Sequence, residues 1–205
     1  MELLRKGLSF KMSPLVLTPL IDNSKPIISG VPLYRGISDK EEGTVISPRN
    51  PLQINLDSPS EIVRLIFSEQ KPQTHILEIE KDGHFVSFSL QREVACYYAT
   101  SDALGDYVKA GRIVAVRFPD IKQRITFGGS EPYIFECFGG TVWLDMRHLP
   151  TQWLETVSRT MVDHELLLLR GRIQVSELKP ITPEECDKSF LPWSRTGKNI
   201  ELLNK

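Results

Sequence analysis

Four leucines in a row, Leu166 to Leu169, sit inside the stretch VDHELLLLRGRIQV that runs from Val162 to Val175. An unbroken apolar run of this length reads as a buried strand, and Gly171 is where it breaks or bends. Asp163 and Glu165 stand directly in front of it. Two acids two residues apart on an extended chain share one face. If the strand begins at Asp163, both carboxylates stand on one face at the mouth of a strand that leads into the core. Acids so placed can divide labour, one attending an electrophile and the other a nucleophile. An acidic loop capped by a core strand is the plainer alternative.

The rest of the chain reads as short strands with a few helices laid over them, an α+β fold with a largely antiparallel or mixed sheet. Val31 to Ser38 is a short strand. Ser58, Pro59 and Glu61 supply the cap, first-turn proline and capping-box acid of a helix. THILEIE, the Asp82-Gly83 turn and HFVSFSL read as a hairpin. QREVACYYAT is a short helix, and GRIVAVRF, QRITFG and PYIFECF are strands. In TQWLETVSRTMV the residues Trp153, Val157 and Met161 mark one helix face. Residues 1–30, rich in Pro and Ser, read as an arm, 31–179 as the domain, and 180–205 as a surface extension.

Net charge is −1, so nothing suggests a general nucleic-acid or membrane binder, and no apolar run reaches transmembrane length. Pro14 and Pro19 interrupt the first apolar stretch, so no signal peptide is expected. Cys96, Cys137 and Cys186 are odd in number and widely spaced. They read as lone buried thiols in a reducing compartment, with no disulfide framework and no metal site.

Two further places carry candidate chemistry. Arg35 ends a short apolar strand and precedes Gly36. Its guanidinium fork suits a phosphate or carboxylate, and a solvated strand-end arginine is the alternative. In HFVSFSL, alternation puts Val86, Phe88 and Leu90 on one face and Phe85, Ser87 and Ser89 on the other. The hydroxyl side can orient a polar ligand or simply meet water.

An arginine strand (Tyr34-Arg35-Gly36), then Ser87-Phe88-Ser89, then Asp163-His164-Glu165 before LLLLRG: this order resembles the Arg-Ser-Glu branch of the ADP-ribosyltransferase superfamily, which includes cholera-type and clostridial toxins and several bacterial effectors. The resemblance spans Tyr34 to about Val175. It departs from the family pattern at Phe88, where threonine is usual, and at Asp163, one methylene shorter than the usual acid. What it implies is an ADP-ribosyltransferase-like fold around an NAD cleft, with NAD as substrate and no metal. In that pattern Glu165 stabilises the ribose cation, Asp163 orients the acceptor, Ser87 holds Glu165 and the nicotinamide end, and Arg35 clamps the pyrophosphate side. Gly36 and Ser89 complete the NAD contacts. The expected activity is mono-ADP-ribosylation of a host or competitor protein, with arginine the favoured acceptor. A monomer is expected, a toxin or effector secreted or delivered into a target cell and acting in its cytoplasm, with neither nucleic acid nor membrane as partner. An NAD glycohydrolase and a binding effector that has lost turnover are the alternatives.

Overall fold

The computed structural model of the chain describes residues 26–37, 45–66, 83–101, 109–127, 130–148 and 165–186. In chain order the elements are β1 (Pro32–Ile37), β2 (Val45–Ile46), helix α1 (Pro59–Ile66), β3 (Val86–Ser89), helix α2 (Arg92–Thr100), β4 (Gly111–Arg117), β5 (Ile121–Phe127), β6 (Ser130–Cys137), β7 (Val142–Asp145), β8 (Glu165–Arg170), β9 (Ile173–Gln174) and β10 (Glu177–Ile181). Eight strands make one sheet in the order β10-β4-β1-β3-β8-β7-β6-β5, and β2 pairs with β9 in a separate ribbon. Every pairing among the described residues is antiparallel. The fold is thus mixed α+β with a mostly antiparallel sheet and few helices.

The sheet is not flat. β4 and β5 lie six strand positions apart, which in a flat sheet is about 29 Å. Only Phe118, Pro119 and Asp120 join them, and so short a link reaches about 14 Å. The sheet must therefore curl until its two ends approach. Phe118 confirms this, packing against Phe135 of β6 and Trp143 of β7 at ring separations of 5.5 and 5.4 Å.

The curl gives the sheet an inner and an outer face. Leu33, Phe88, Val116, Trp143, Leu166 and Leu168 fill the inside, and the β2–β9 ribbon adds Ile46 and Ile173. The alternate residues of the same strands face outward under two separate covers. Phe85, Ile134, Leu144, Leu167 and Leu169 lie under Ile62 of α1 and under Leu52, Ile54 and Leu56. Ile113 lies under Ala95 and Ala99 of α2, with Tyr34 at the margin. The four leucines of β8 thus divide between two cores, which is why the run needs no polar alternation.

Each helix begins for a local reason. α1 starts where the Ser58 carbonyl accepts the amides of Glu61 and Ile62, with Pro59 in the first turn, where its missing N–H costs nothing. α2 follows β3 after a tight corner in which the Gln91 amide donates to Ser89 Oγ at 3.0 Å. Gly171, at φ +96, ends β8 in a conformation that disfavours any side chain.

Several boundaries differ from the sequence reading. The expected last strand is three strands, β8, β9 and β10. The fold does not stop at residue 179: β10 continues to Ile181, and a 3-10 turn at Pro183–Glu185 brings buried Cys186 beneath α2. The arm joins the core earlier than residue 31, since Ile27 is buried and the Gly30 amide donates to the Phe118 carbonyl. β7 is an element that sequence reading did not separate. THILEIE, the helix expected over 151–162, and residues 1–25 lie outside the described residues.

Candidate functional site

The three motif strands are immediate neighbours. β1 carries Arg35, β3 carries Ser87 and Ser89, and β8 begins at Glu165. Residues far apart in sequence so come within about 10 Å, two strand spacings. Asp163 lies outside the described residues.

The join between β1 and β3 is incomplete. Along its other edge β1 makes six consecutive pairs with β4, and β3 makes four with β8. Between β1 and β3 there is one, Tyr34↔Ser89. Beyond that pair the strands part, leaving main-chain groups that a continuous ladder would have paired. Arg35 spans the parting, and its Nη1 donates to the Ser87 carbonyl at 3.1 Å. Arg35 is therefore within its strand, not at its end, and one donor of its fork is spent on bracing β3. The remaining donors stay available beside the opening.

The two serines differ. Ser89 is buried, opposite Glu165 in register, and its Oγ accepts the Gln91 amide that turns the chain into α2. Ser87 is half-buried, stands opposite Leu167, and offers its hydroxyl on the outward face. In register it is Ser89 that neighbours Glu165, whereas sequence reasoning gave that place to Ser87. Phe88 points inward, 2% exposed, its ring 5.5 Å from Trp143. The residue that departs from the family pattern belongs to the core, as alternation requires.

Gly36 has a packing reason. A Cβ there would stand 2.2 Å from the Ala95 carbonyl oxygen and 2.6 Å from the Ala99 nitrogen. Gly111, on the neighbouring strand, would meet the Ala99 carbonyl oxygen at 2.2 Å. α2 therefore rests its backbone on two glycines. Its helical repeat supplies the small residues Ala95 and Ala99 at the contact. The outward face of Gly36, assigned to NAD on sequence grounds, is covered by the helix.

On the outward face, among the described residues, α2 lies over β1 and β4 and also touches β3 and β10, and the α1 region lies over β5 to β8. Between the two apolar clusters the outward positions carry hydroxyls: Ser87, buried Ser89 and, at the edge of α2, Tyr34.

A buried ion pair on the inward face, two strands from β3, escaped the sequence reading. Asp145 ends β7 opposite Leu166, and Arg147 folds back on it. Nη2 meets Oδ2 at 2.6 Å, Nε meets Oδ1 at 2.9 Å, and the Arg147 amide also donates to Oδ1 at 3.0 Å. Asp145 is 0% and Arg147 4% exposed. The pair fixes the corner beside the first turn of β8. Its only sequence signal is opposite charge two residues apart, which occurs too often on surfaces to mark a buried site.

All three cysteines are free and buried. Burial pushes the Cys96 thiol up to about 12 and the Cys137 thiol up to about 11. Neither supplies a thiolate near neutral pH, so nucleophilic thiol chemistry is not available from these two.

A scan against protein-family models and searches of curated proteins and of solved structures found no match to this chain.

Proposed function

We propose that this chain is a mono-ADP-ribosyltransferase with an ADP-ribosyltransferase-like fold, which cleaves NAD and transfers ADP-ribose to a protein side chain. The observation that carries the reading is the adjacency of β1, β3 and β8, with Arg35 bonded across the open β1–β3 seam to Ser87. Arg35, Ser87 and Glu165 stand on three neighbouring strands, in the order that the resemblance implies. The opening between β1 and β3 also gives a ligand main-chain donors and acceptors in the floor of the site.

In this reading NAD lies across the seam. Arg35 shares the inward face of Leu33, so its remaining donors reach the pyrophosphate through the parting between β1 and β3, and the Ser87 hydroxyl holds the nicotinamide end on the outward face. The bond between the ribose anomeric carbon and the nicotinamide nitrogen breaks, and its electron pair returns to the ring, which leaves neutral. Positive charge develops on the ribose, and the Glu165 carboxylate, bonded to a ribose hydroxyl, stabilises it. An acceptor nitrogen then attacks the anomeric carbon and gives up its proton, with Asp163 orienting the acceptor. A protein of this kind fits the role of an effector delivered into a target cell.

The test is to incubate the full chain with labelled NAD, alone and with a cell lysate, and to follow nicotinamide release and labelled protein. Label on a lysate protein, dependent on Glu165, supports transfer. Nicotinamide release without labelled protein makes the chain an NAD glycohydrolase. No NAD binding and no release contradicts both readings.

A further inference from the structure

Cys96 and Thr100 stand one helical turn apart on the buried face of α2. The Thr100 hydroxyl donates to the Cys96 carbonyl at 2.9 Å and meets the Cys186 sulfur at 3.5 Å. Cys186 comes from far along the chain, after β10. It closes the 3-10 turn at Pro183–Glu185, where Thr182 and Glu185 form a capping box, and its thiol donates to the Thr182 carbonyl at 3.4 Å. The turn so holds Cys186 against α2, in one buried cluster with Cys96, Ala95, Ala99 and Ile181. Burial is the main cause of the raised Cys96 thiol, Arg92 opposes it, and contact with the Cys186 thiol adds to it. Two free thiols from distant parts of the sequence therefore lie side by side. Cys137, the third, belongs to the inner core on the other face of the sheet.

We propose that Cys96 and Cys186 are a redox-modification site, in which oxidation joins the two sulfurs and fastens the turn after β10 onto α2. The oxidant is a small disulfide of the glutathione type. The Cys186 sulfur loses its proton and attacks one sulfur of that disulfide, releasing a first glutathione thiol. The Cys96 sulfur then loses its proton and displaces the second. One S–S bond breaks and one forms; the protein gives up two electrons and two protons, and the two glutathione thiols carry them away. Cys186 leads because a terminal turn opens at lower cost than a helix packed on a sheet. The new bond closes a long loop, from α2 across the sheet to β10, and so restricts the unfolded chain strongly. This site is independent of the NAD reading.

The experiment incubates the full wild-type chain, folded, with oxidised glutathione at about pH 9, where the raised Cys96 thiol reacts faster than at neutral pH. The protein is then cleaved without reductant and its peptides are read by mass spectrometry, while thermal unfolding is followed before and after. The expected result is a peptide pair joined through Cys96 and Cys186, with Cys137 left as a thiol. The unfolding midpoint is expected to rise by at least about 5 °C and to return on reduction. Cys186→Ser is expected to show neither the joined pair nor the rise. A folded chain in which Cys96 and Cys186 are not joined to each other overturns the proposal, whether they stay thiols, hold glutathione or pair with Cys137. So does a joined chain whose midpoint does not rise.

Discussion

The two edges of β1 are paired very differently. Toward β4 the ladder is closed from Pro32↔Arg117 to Ile37↔Arg112, and α2 is pressed onto the two strands at Gly36 and Gly111. Toward β3 the ladder holds one pair, and a side chain takes over where main-chain pairing stops. The same strand is closed along one edge and open along the other, where the proposed reading places a ligand. A closed ladder pairs the main-chain polar groups of its strands internally. An open seam needs an agent to hold it at a fixed width, and Arg35 is placed to be that agent.

The comparison breaks most severely if the closed edge is disturbed. Gly36→Ala combined with Gly111→Ala forces two methyl groups into helix backbone. Each overpacking costs roughly 2 kcal/mol, so the double variant is expected to lose about 4 kcal/mol in chemical denaturation. A loss below about 1 kcal/mol would mean that α2 shifts freely and that the closed edge is not what fixes the fold.

The serines sharpen the contrast, because they sit on one strand and differ in task. Ser89→Ala deprives the Gln91 amide of its acceptor and is expected to cost about 1 to 2 kcal/mol of stability. Ser87→Ala keeps the carbonyl that Arg35 grips, so stability should hold while the KM for NAD rises about five-fold. The reverse pattern would exchange their roles. Arg35→Lys keeps the charge and loses the fork that can brace Ser87 and meet a phosphate at once. It is expected to weaken NAD binding about ten-fold by calorimetry and to lower stability by less than about 1 kcal/mol.

The smallest effect concerns pH. Cys96 lies on the buried face of α2 on the closed side, and its thiol is raised from 9.0 to about 12. Folding therefore favours the protonated form. That contribution is whole below pH 9.0 and is lost as the pH rises toward 12. A thermal midpoint that falls between pH 9 and 11, and falls less in Cys96→Ala, is the expected result.

Much of this was legible in the sequence where a pattern repeats along the chain. Alternation in HFVSFSL separated Phe88 from the serines correctly, the unbroken leucines gave β8, and Ser58-Pro59 gave the start of α1. What sequence did not reveal depends on partners that carry no letter. The acceptor that holds Arg35 is a main-chain carbonyl, and every residue has one. The covering of Gly36 needs Ala95 and Ala99 to arrive from another element. The curl of the sheet depends on strand order, which the three-residue link from β4 to β5 constrains only once that order is known. β7 is four residues long, too short for alternation to announce it, and Trp143 within it packs like any core aromatic.

The central claim is that the open seam between β1 and β3, facing the first residue of β8, is where NAD is cleaved. It is tested most directly by nicotinamide release from Glu165→Gln beside the wild type, at matched folding by circular dichroism. Glu165 opens the strand and its carboxylate is assigned to charge, not packing. The account predicts an unfolding midpoint near that of the wild type and a rate of release lower by at least about 100-fold. A folded variant that releases nicotinamide at the wild-type rate would contradict it.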